Sequence, residues 1–300
     1  VAATLVIERA GSLVTIQDAG RFGYLAHGIS ASGPMDRSSF RRAGLPAGSG
    51  AAAGIEFSML GLDLVVSEGE VAVGWAGGVF EVSVNGKKLE WPGAARLGAG
   101  DRLAISAGTG GNYGYLRFGG EIEVPAVMGS RATSMRARIG GLDGRALKAG
   151  DRLAVVGDGD APATILPRRK ADGPIRFVWG LHAEVFDAGL REKFVTSTFR
   201  ISSMMDRMGV RLRDEAEVFA AARILSLVSD PVVVGDIQIL GDGTPIVLGR
   251  DHQPTGGYPR IGTIISADLD RFFQLRPNAE LVFAPVGLDH AQALLRSEIA

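Results

Sequence analysis

Three hundred residues, 46% of them apolar, can bury one large core or two ordinary ones. A formal net charge of −1 argues against an electrostatic nucleic-acid binder, and the lack of cysteine excludes disulfides and thiolate chemistry. The first apolar run, residues 2–7, is too short for a membrane span and lacks the pattern of a signal peptide, so a soluble, cytoplasmic protein with no membrane or nucleic-acid partner is expected.

Forty-three glycines lie scattered between short apolar runs, the pattern of a turn-rich, mainly β protein. Helix is expected at 38–43, after the turn at Gly33-Pro34. Strands are expected at 62–66, 71–75, 79–84, 103–106 and 113–118. Asn85-Gly86 supplies the two positive φ angles of a type I′ turn and predicts a hairpin from 79–84 into 87–91. The segment Leu97-Gly98-Ala99-Gly100-Asp101-Arg102-Leu103 is echoed at 147–153 and more weakly at 275–281. Each copy reads as a turn into a strand, with the Asp bonding the backbone that follows it. Residues 157–174 are rich in Gly, Pro, Ala and charge and read as a linker. The division is therefore an N-terminal β domain over 1–160, a linker over 161–174 and a C-terminal domain over 175–300. Met35-Asp36-Arg37 and Met205-Asp206-Arg207 suggest two related halves with comparable turns. Each aspartate either caps a turn or presents a polar group to a cleft. Residues 215–222 suit a helix or a strand and loop, and 289–296 a helix capped by Asp289.

The densest polar stretch is Asp251-His252-Gln253-Pro254-Thr255-Gly256-Gly257-Tyr258-Pro259-Arg260, between apolar runs at 245–248 and 261–265. A connector that only reverses the chain needs few of these side chains. A glycine pair lets backbone approach a ligand closely. The same composition also suits a rigid hairpin loop with its polar groups solvated. No phosphate-binding loop, Gly-x-Ser-x-Gly elbow or biotin-attachment sequence is present. His27, His182, His252 and His290 are too scattered to form a metal-ligand pair by spacing, and no metal is expected.

Six motifs occur in order: Gln17-Asp18-Ala19-Gly20-Arg21-Phe22-Gly23-Tyr24, Ser32-Gly33-Pro34-Met35-Asp36, Gly129-Ser130-Arg131-Ala132-Thr133, Gly140-Gly141-Leu142-Asp143-Gly144-Arg145, Asp206-Arg207-Met208-Gly209 and Thr255-Gly256-Gly257-Tyr258-Pro259. Together they resemble the allophanate hydrolase subunit 2 family, also called the biotin-dependent carboxyltransferase family, which takes in the C component of 5-oxoprolinase and KipA-like proteins. The resemblance implies cyclophilin-like β-barrels. It also implies a subunit 1 (KipI-like) partner, the B component of 5-oxoprolinase, joined by a third 5-oxoprolinase subunit or by a biotin carrier. The implied chemistry is ATP-dependent opening of 5-oxoproline, or carboxyl transfer from carboxybiotin to a urea-like substrate. No cofactor is covalently bound, and ATP or carboxybiotin enters through the complex. A non-catalytic, KipA-like regulatory role is the alternative.

The resemblance points to Arg131, Gln253 and Tyr258 as catalytic, with Gln17, His27, Asp36, Thr255, Gly256 and Gly257 binding substrate in a common cleft. Arg131 would hold a carboxylate by two parallel hydrogen bonds. Tyr258 offers a flat face and a hydroxyl to a planar ring. No general base is assigned, although His27 or His252 could titrate near neutrality. Two departures stand out: Pro254 replaces a usual threonine, and 211–222 lacks the glycine-rich continuation.

Overall fold

The computed structural model describes residues 2–50, 52–157, 172–220 and 227–299. The chain divides into two compact units, Val1–Gly23 with Ala31–Arg169, and Tyr24–Ser30 with Lys170–Ala300. Both are mainly β, each built on one large sheet with few short helices. Most of the expected linker, 158–171, lies outside the described residues.

The first unit runs β1 (Ala2–Ala10), β2 (Thr15–Gln17), α1 (Arg37–Gly44), β3 (Gly54–Ser58), β4 (Leu62–Glu68), β5 (Glu70–Val84), β6 (Lys87–Leu89), β7 (Gly93–Gly98), β8 (Arg102–Phe118), β9 (Glu121–Ile122) and β10 (Arg152–Val156). All pairs are antiparallel, in the order β2-β3-β8-β4-β1-β10-β9, with β5 against β8 and carrying β6 and β7. Alternation sends Leu62, Leu64 and Val66 of β4 into the core beside Leu5 and Ile7 of β1. Asn85 and Gly86 adopt φ of +51° and +78°, and Val84 pairs with Lys87 as the hairpin requires.

Two expected breaks are bulges instead. The segments 71–75 and 79–84 form the single strand β5, and 103–106 and 113–118 form the single strand β8. Glycine marks the junction for lack of room: a Cβ on Gly77 would sit 2.4 Å from the Tyr113 carbonyl oxygen. The register shifts there and the strand continues.

The repeated turns share one construction across both units. Gly100, Gly150 and Asn278 have φ of +92°, +90° and +70°. Their amides donate to the carbonyls of Val66, Ile7 and Ile201, each at 2.8 Å. Asp101 and Asp151 accept from the residue three places earlier, Gly98 N at 2.7 Å and Lys148 N at 2.8 Å. The carboxylate thus closes the turn backwards, not onto the backbone that follows.

The second unit runs β11 (Ile175–Trp179), α2 (Ala188–Thr196), β12 (Phe199–Met205), β13 (Gly209–Arg213), β14 (Asp230–Pro231), β15 (Asp236–Ile239), β16 (Pro245–Leu248), β17 (Thr255–Gly256), β18 (Arg260–Ile264), α3 (Ser266–Phe273), β19 (Glu280–Leu281), β20 (Phe283–Pro285) and α4 (Leu288–Ile299). Its main sheet is ordered β19-β12-β13-β16-β15-β18-β11-β20. The two edge strands are separated in sequence by Val282 alone, so the sheet curls back on itself into a nearly closed barrel. Phe194 of α2 covers the interior, stacked on Phe283 at 4.9 Å.

Four expectations change here. Strands β16 and β18 are not hairpin partners, because β15 lies between them; the 251–260 segment therefore crosses over a strand. Residues 215–220 form turns, and 221–222 lie outside the described residues. Asp289 falls inside the first turn of α4, which begins at Leu288, and does not cap it. The Met-Asp-Arg echo has no common local structure: Asp36 caps α1 through Ser39 N, whereas Asp206 closes the β12–β13 turn through Met208 N and Gly209 N.

One carboxylate ties α3 to the barrel. Buried Asp268 accepts from Arg176 N at 2.7 Å, Arg176 Nη2 at 2.6 Å and Arg271 Nη2 at 3.1 Å. Burial alone would raise its pKa, but the bonds to Arg176 and the charge of Arg271 outweigh it, leaving it below the usual 3.8. Its contribution to stability is therefore complete above about pH 4 and is lost as pH falls through the lowered folded value. Asp268→Asn is expected to destabilise by on the order of 3 kcal/mol at neutral pH, because it removes the buried carboxylate that two arginines share. Urea melts at pH 7 and pH 3 check this: the gap between wild type and variant should narrow at the lower pH.

Candidate functional site

In the first unit, the polar residues at the end of β2 hold two turns. Gln17 is fully buried. Its Nε2 donates to Thr15 Oγ1 at 3.0 Å and to the Thr133 carbonyl at 3.2 Å, while Oε1 accepts from Gly33 N at 3.0 Å. Asp18 accepts from Ser130 Oγ and Arg131 N, both at 2.6 Å. Arg21, also buried, donates to the carbonyls of Val127 at 2.8 Å, Ser130 at 3.2 Å and Ala132 at 2.9 Å. Arg131 stands on the loop so held, with its side chain 34% exposed. Its Nε donates to the Val124 carbonyl at 3.0 Å, and Nη1 lies 3.4 Å from Glu121 Oε2. Among the described residues Nη2 has no partner.

Asp36 is buried and serves α1. Its oxygens accept from Ser38 Oγ at 2.9 Å, Ser39 N at 2.8 Å and Ser39 Oγ at 2.7 Å. Its amide donates to the Tyr115 hydroxyl at 2.7 Å. Burial, then the Glu56 and Asp36 carboxylates, push that phenol well above its usual range, so it stays protonated. Nearby Arg117 lies over the Phe40 ring at 4.1 Å and donates to the carbonyls of Phe40 and Gly50. Burial lowers it to about 10 against the opposing pull of Glu121 and Asp18.

In the second unit, the 251–260 segment is pinned along its length. Buried Asp251 pairs with buried Arg207 at 2.8 and 3.2 Å, and Asp251 N donates to the Arg207 carbonyl at 2.8 Å. At the other end Arg260 reaches Asp236 at 3.3 Å and also bonds Asp230. Strands β14 and β17 pair across the middle, Val232 N donates to the Pro254 carbonyl, and Leu227 N to that of Gly257. Space against the protein itself is tight at the glycine pair. A Cβ on Gly256 would meet Gln238 Nε2 at 2.5 Å, and one on Gly257 the Leu227 carbonyl oxygen at 3.0 Å. Asp251, His252 and Arg260 turn inward; Gln253 is half-buried, and Thr255 and Tyr258 are exposed, Tyr258 by 40%.

Two histidines bracket this segment in opposite tautomers. His252 Nδ1 lies 2.6 Å from the Gln253 carbonyl oxygen, which only accepts, so Nδ1 carries the proton. His182 Nδ1 accepts from Arg260 N at 3.3 Å, so its proton sits on Nε2 when the ring is neutral. His27 is exposed in a short turn, Leu25–His27, within the second unit's Tyr24–Ser30 segment. A separate open cleft of about 540 Å³ involves Arg211, Asp214, Asp242 and Thr244; it contains none of the expected site residues. Burial raises Asp214 there above the ordinary carboxylate value.

The expected site residues thus form two groups. Gln17, Asp36 and Arg131 belong to the first unit; His27, Gln253, Thr255, Gly256, Gly257 and Tyr258 belong to the second. The carboxamide of Gln17 and the carboxylate of Asp36 are engaged within the protein. Sequence reasoning gave no role to Asp18, Arg21, His182, Asp236 or Gln238. The first two stood inside a recognised motif. The last two are buried in β15, whose apolar alternation hides polar residues used as anchors. Among the described residues no cluster of three or more His, Asp or Glu is placed to hold a metal, and no helix is long and apolar enough to cross a membrane.

Two β-rich units, each offering pinned polar loops, define a class of paired-subdomain β proteins. The carboxyltransferase domain, subdomain A and B, matches residues 27–285, and the chain belongs to that family. It is similar to the C component of 5-oxoprolinase from Escherichia coli (strain K12), 34% identical over 96% of this chain and 93% of that protein. It is 30% identical to the urea amidolyase of Lachancea kluyveri over 97% of this chain but only 17% of that protein. The crystal structure of the K. lactis urea amidolyase superposes with a TM-score of 0.88 at 26% identity, covering 99% of this chain and 19% of that one. The chain therefore spans less than a fifth of the amidolyase.

Breaking the Arg207–Asp251 pair tests how the second-unit loop is held. Asp251→Ala leaves Arg207 buried without its carboxylate and is expected to lower stability by about 3–5 kcal/mol. The double variant Arg207→Met, Asp251→Leu should lose clearly less. Denaturant melts of the three proteins check the order.

Proposed function

We propose that this chain is one subunit of a heteromeric enzyme that acts on a small amide, urea-like or lactam substrate. Its partner is a subunit 1 protein, the counterpart of the B component of 5-oxoprolinase. ATP-dependent opening of 5-oxoproline is the favoured reaction. The observation that carries it is the end-to-end similarity to the C component of a 5-oxoprolinase, over 93% of that protein's length. Carboxyl transfer from a carrier's carboxybiotin is the second reading, favoured by the close superposition on part of the urea amidolyase. On either reading the barrel of the second unit is taken as cyclophilin-like.

The chemistry common to both readings is charge developing on a carbonyl oxygen, which positioned donors stabilise. In the second unit Tyr258 offers a hydroxyl and Gln253 a carboxamide from a loop already pinned, so little ordering is needed on binding. Thr255 adds a hydroxyl from an exposed position of the same loop. In the first unit Arg131 is proposed to meet a substrate carboxylate. Because Nε is taken by Val124, the contact runs through Nη2 and not through a side-on Nε–Nη2 fork. Gln17 and Asp36 support the fold of this region.

The test uses the chain copurified with its partner subunits. Supplied with ATP and 5-oxoproline, the complex should release glutamate; supplied with carboxybiotin and urea, it should not form N-carboxyurea. Tyr258→Phe is expected to lower kcat by on the order of 10²-fold. Arg131→Ala should act mainly on KM. Full activity in both folded variants would place the site elsewhere.

A further inference from the structure

The loop that carries Arg131 has every backbone polar group from Ser130 to Thr133 bonded. Ser130 N donates to the Val127 carbonyl at 3.3 Å, and Ser130 O accepts from Arg21. Arg131 N donates to Asp18, and Arg131 O accepts from Gly141 N at 2.7 Å. Ala132 N donates to Ser130 Oγ at 3.0 Å, and Ala132 O accepts from Arg21. Thr133 N donates to Ile16 O at 2.9 Å, and Thr133 O accepts from Gln17. The loop enters this stretch through Met128 and Gly129, at φ of +53° and +77°. A non-glycine residue in that region is strained and persists only where its surroundings over-determine it.

We infer that Asp18 and Arg21 are positioning residues for Arg131. This rests on the anion-contact role proposed above for Arg131. Asp18 takes the backbone amide of Arg131 and the hydroxyl of the preceding Ser130, fixing where the side chain leaves the backbone. Arg21 sits beneath the same loop and gathers three of its carbonyls with one planar guanidinium. Lysine carries its three donors on one rotatable nitrogen and cannot reproduce that planar fork. Space beneath the loop is closed as well: a Cβ on Gly140 would lie 2.1 Å from the Ala132 carbonyl oxygen and 2.8 Å from Arg21 Nη2. With the backbone set from below, Val124 O takes Nε and Glu121 lies 3.4 Å from Nη1, which leaves Nη2 as the group for a ligand. The rest of the motif joins this loop to its neighbour, since Arg21 N donates to Ala31 O at 2.6 Å.

The test measures kcat and KM for 5-oxoproline in the copurified complex, for Arg21→Lys and Asp18→Asn, each alone and combined with Arg131→Ala. Thermal melts accompany every variant. The expected result is a KM raised on the order of 10- to 100-fold by either single change, with kcat altered much less. In the Arg131→Ala background neither change should raise KM further. Unchanged KM in both single variants, while Arg131→Ala raises it, overturns the positioning role and leaves the Arg131 contact standing. Equal increments with and without Arg131 also overturn it, because they report a general loosening of the unit. No effect of Arg131→Ala itself would remove the contact and the positioning role together.

Discussion

A backbone amide or carbonyl turned away from water must find another partner. That requirement governs both polar loops of this protein. Where these turns leave the main sheets, side chains join other backbone groups as partners. In the first unit Gln17, Asp18 and Arg21 supply those partners for 130–133. In the second, the Arg207–Asp251 pair and the Arg260 contacts bracket 251–260. The consequence is a small set of exposed polar groups on rigid supports, which suits a site that must meet a developing charge without first rearranging.

The supports are charged, and charge without water is hazardous unless it is matched. Each case is answered locally. Arg117 lies on an aromatic face with two carbonyls at its tips, Asp268 sits between two arginines, and Asp36 is saturated by a helix start. Polar residues that sequence reasoning assigns to substrate are for this reason divided. Gln17 and Asp36 are buried and bonded within the chain, whereas Arg131, Gln253, Thr255 and Tyr258 keep part of their surface open.

The sequence revealed the class of fold through glycine spacing and through the Asn85-Gly86 turn, which follow from local backbone rules. It also revealed the family through six ordered motifs. It did not reveal that Gly77 lies within a long strand, because a bulge and a turn use the same residue and differ only in what packs against it. The crossover of 251–260 over β15 was hidden because strand order is a property of pairing across distance. Gln17 and Asp36 bond the chain itself, and a motif does not reveal this, because it marks importance without saying whether the partner is a substrate or the chain's own backbone. The shared Met-Asp-Arg triplet misled for a similar reason: one copy starts a helix and the other closes a hairpin.

With these partners in place, the two loops are formed and held before any substrate or partner arrives. Native-state amide hydrogen exchange of the isolated chain measures this directly at two positions. The amides of Arg131 and Asp251, bonded to Asp18 and to the Arg207 carbonyl, should exchange as slowly as core-strand amides such as that of Leu64. Exchange of those two amides at the rate of an open surface loop would contradict the account.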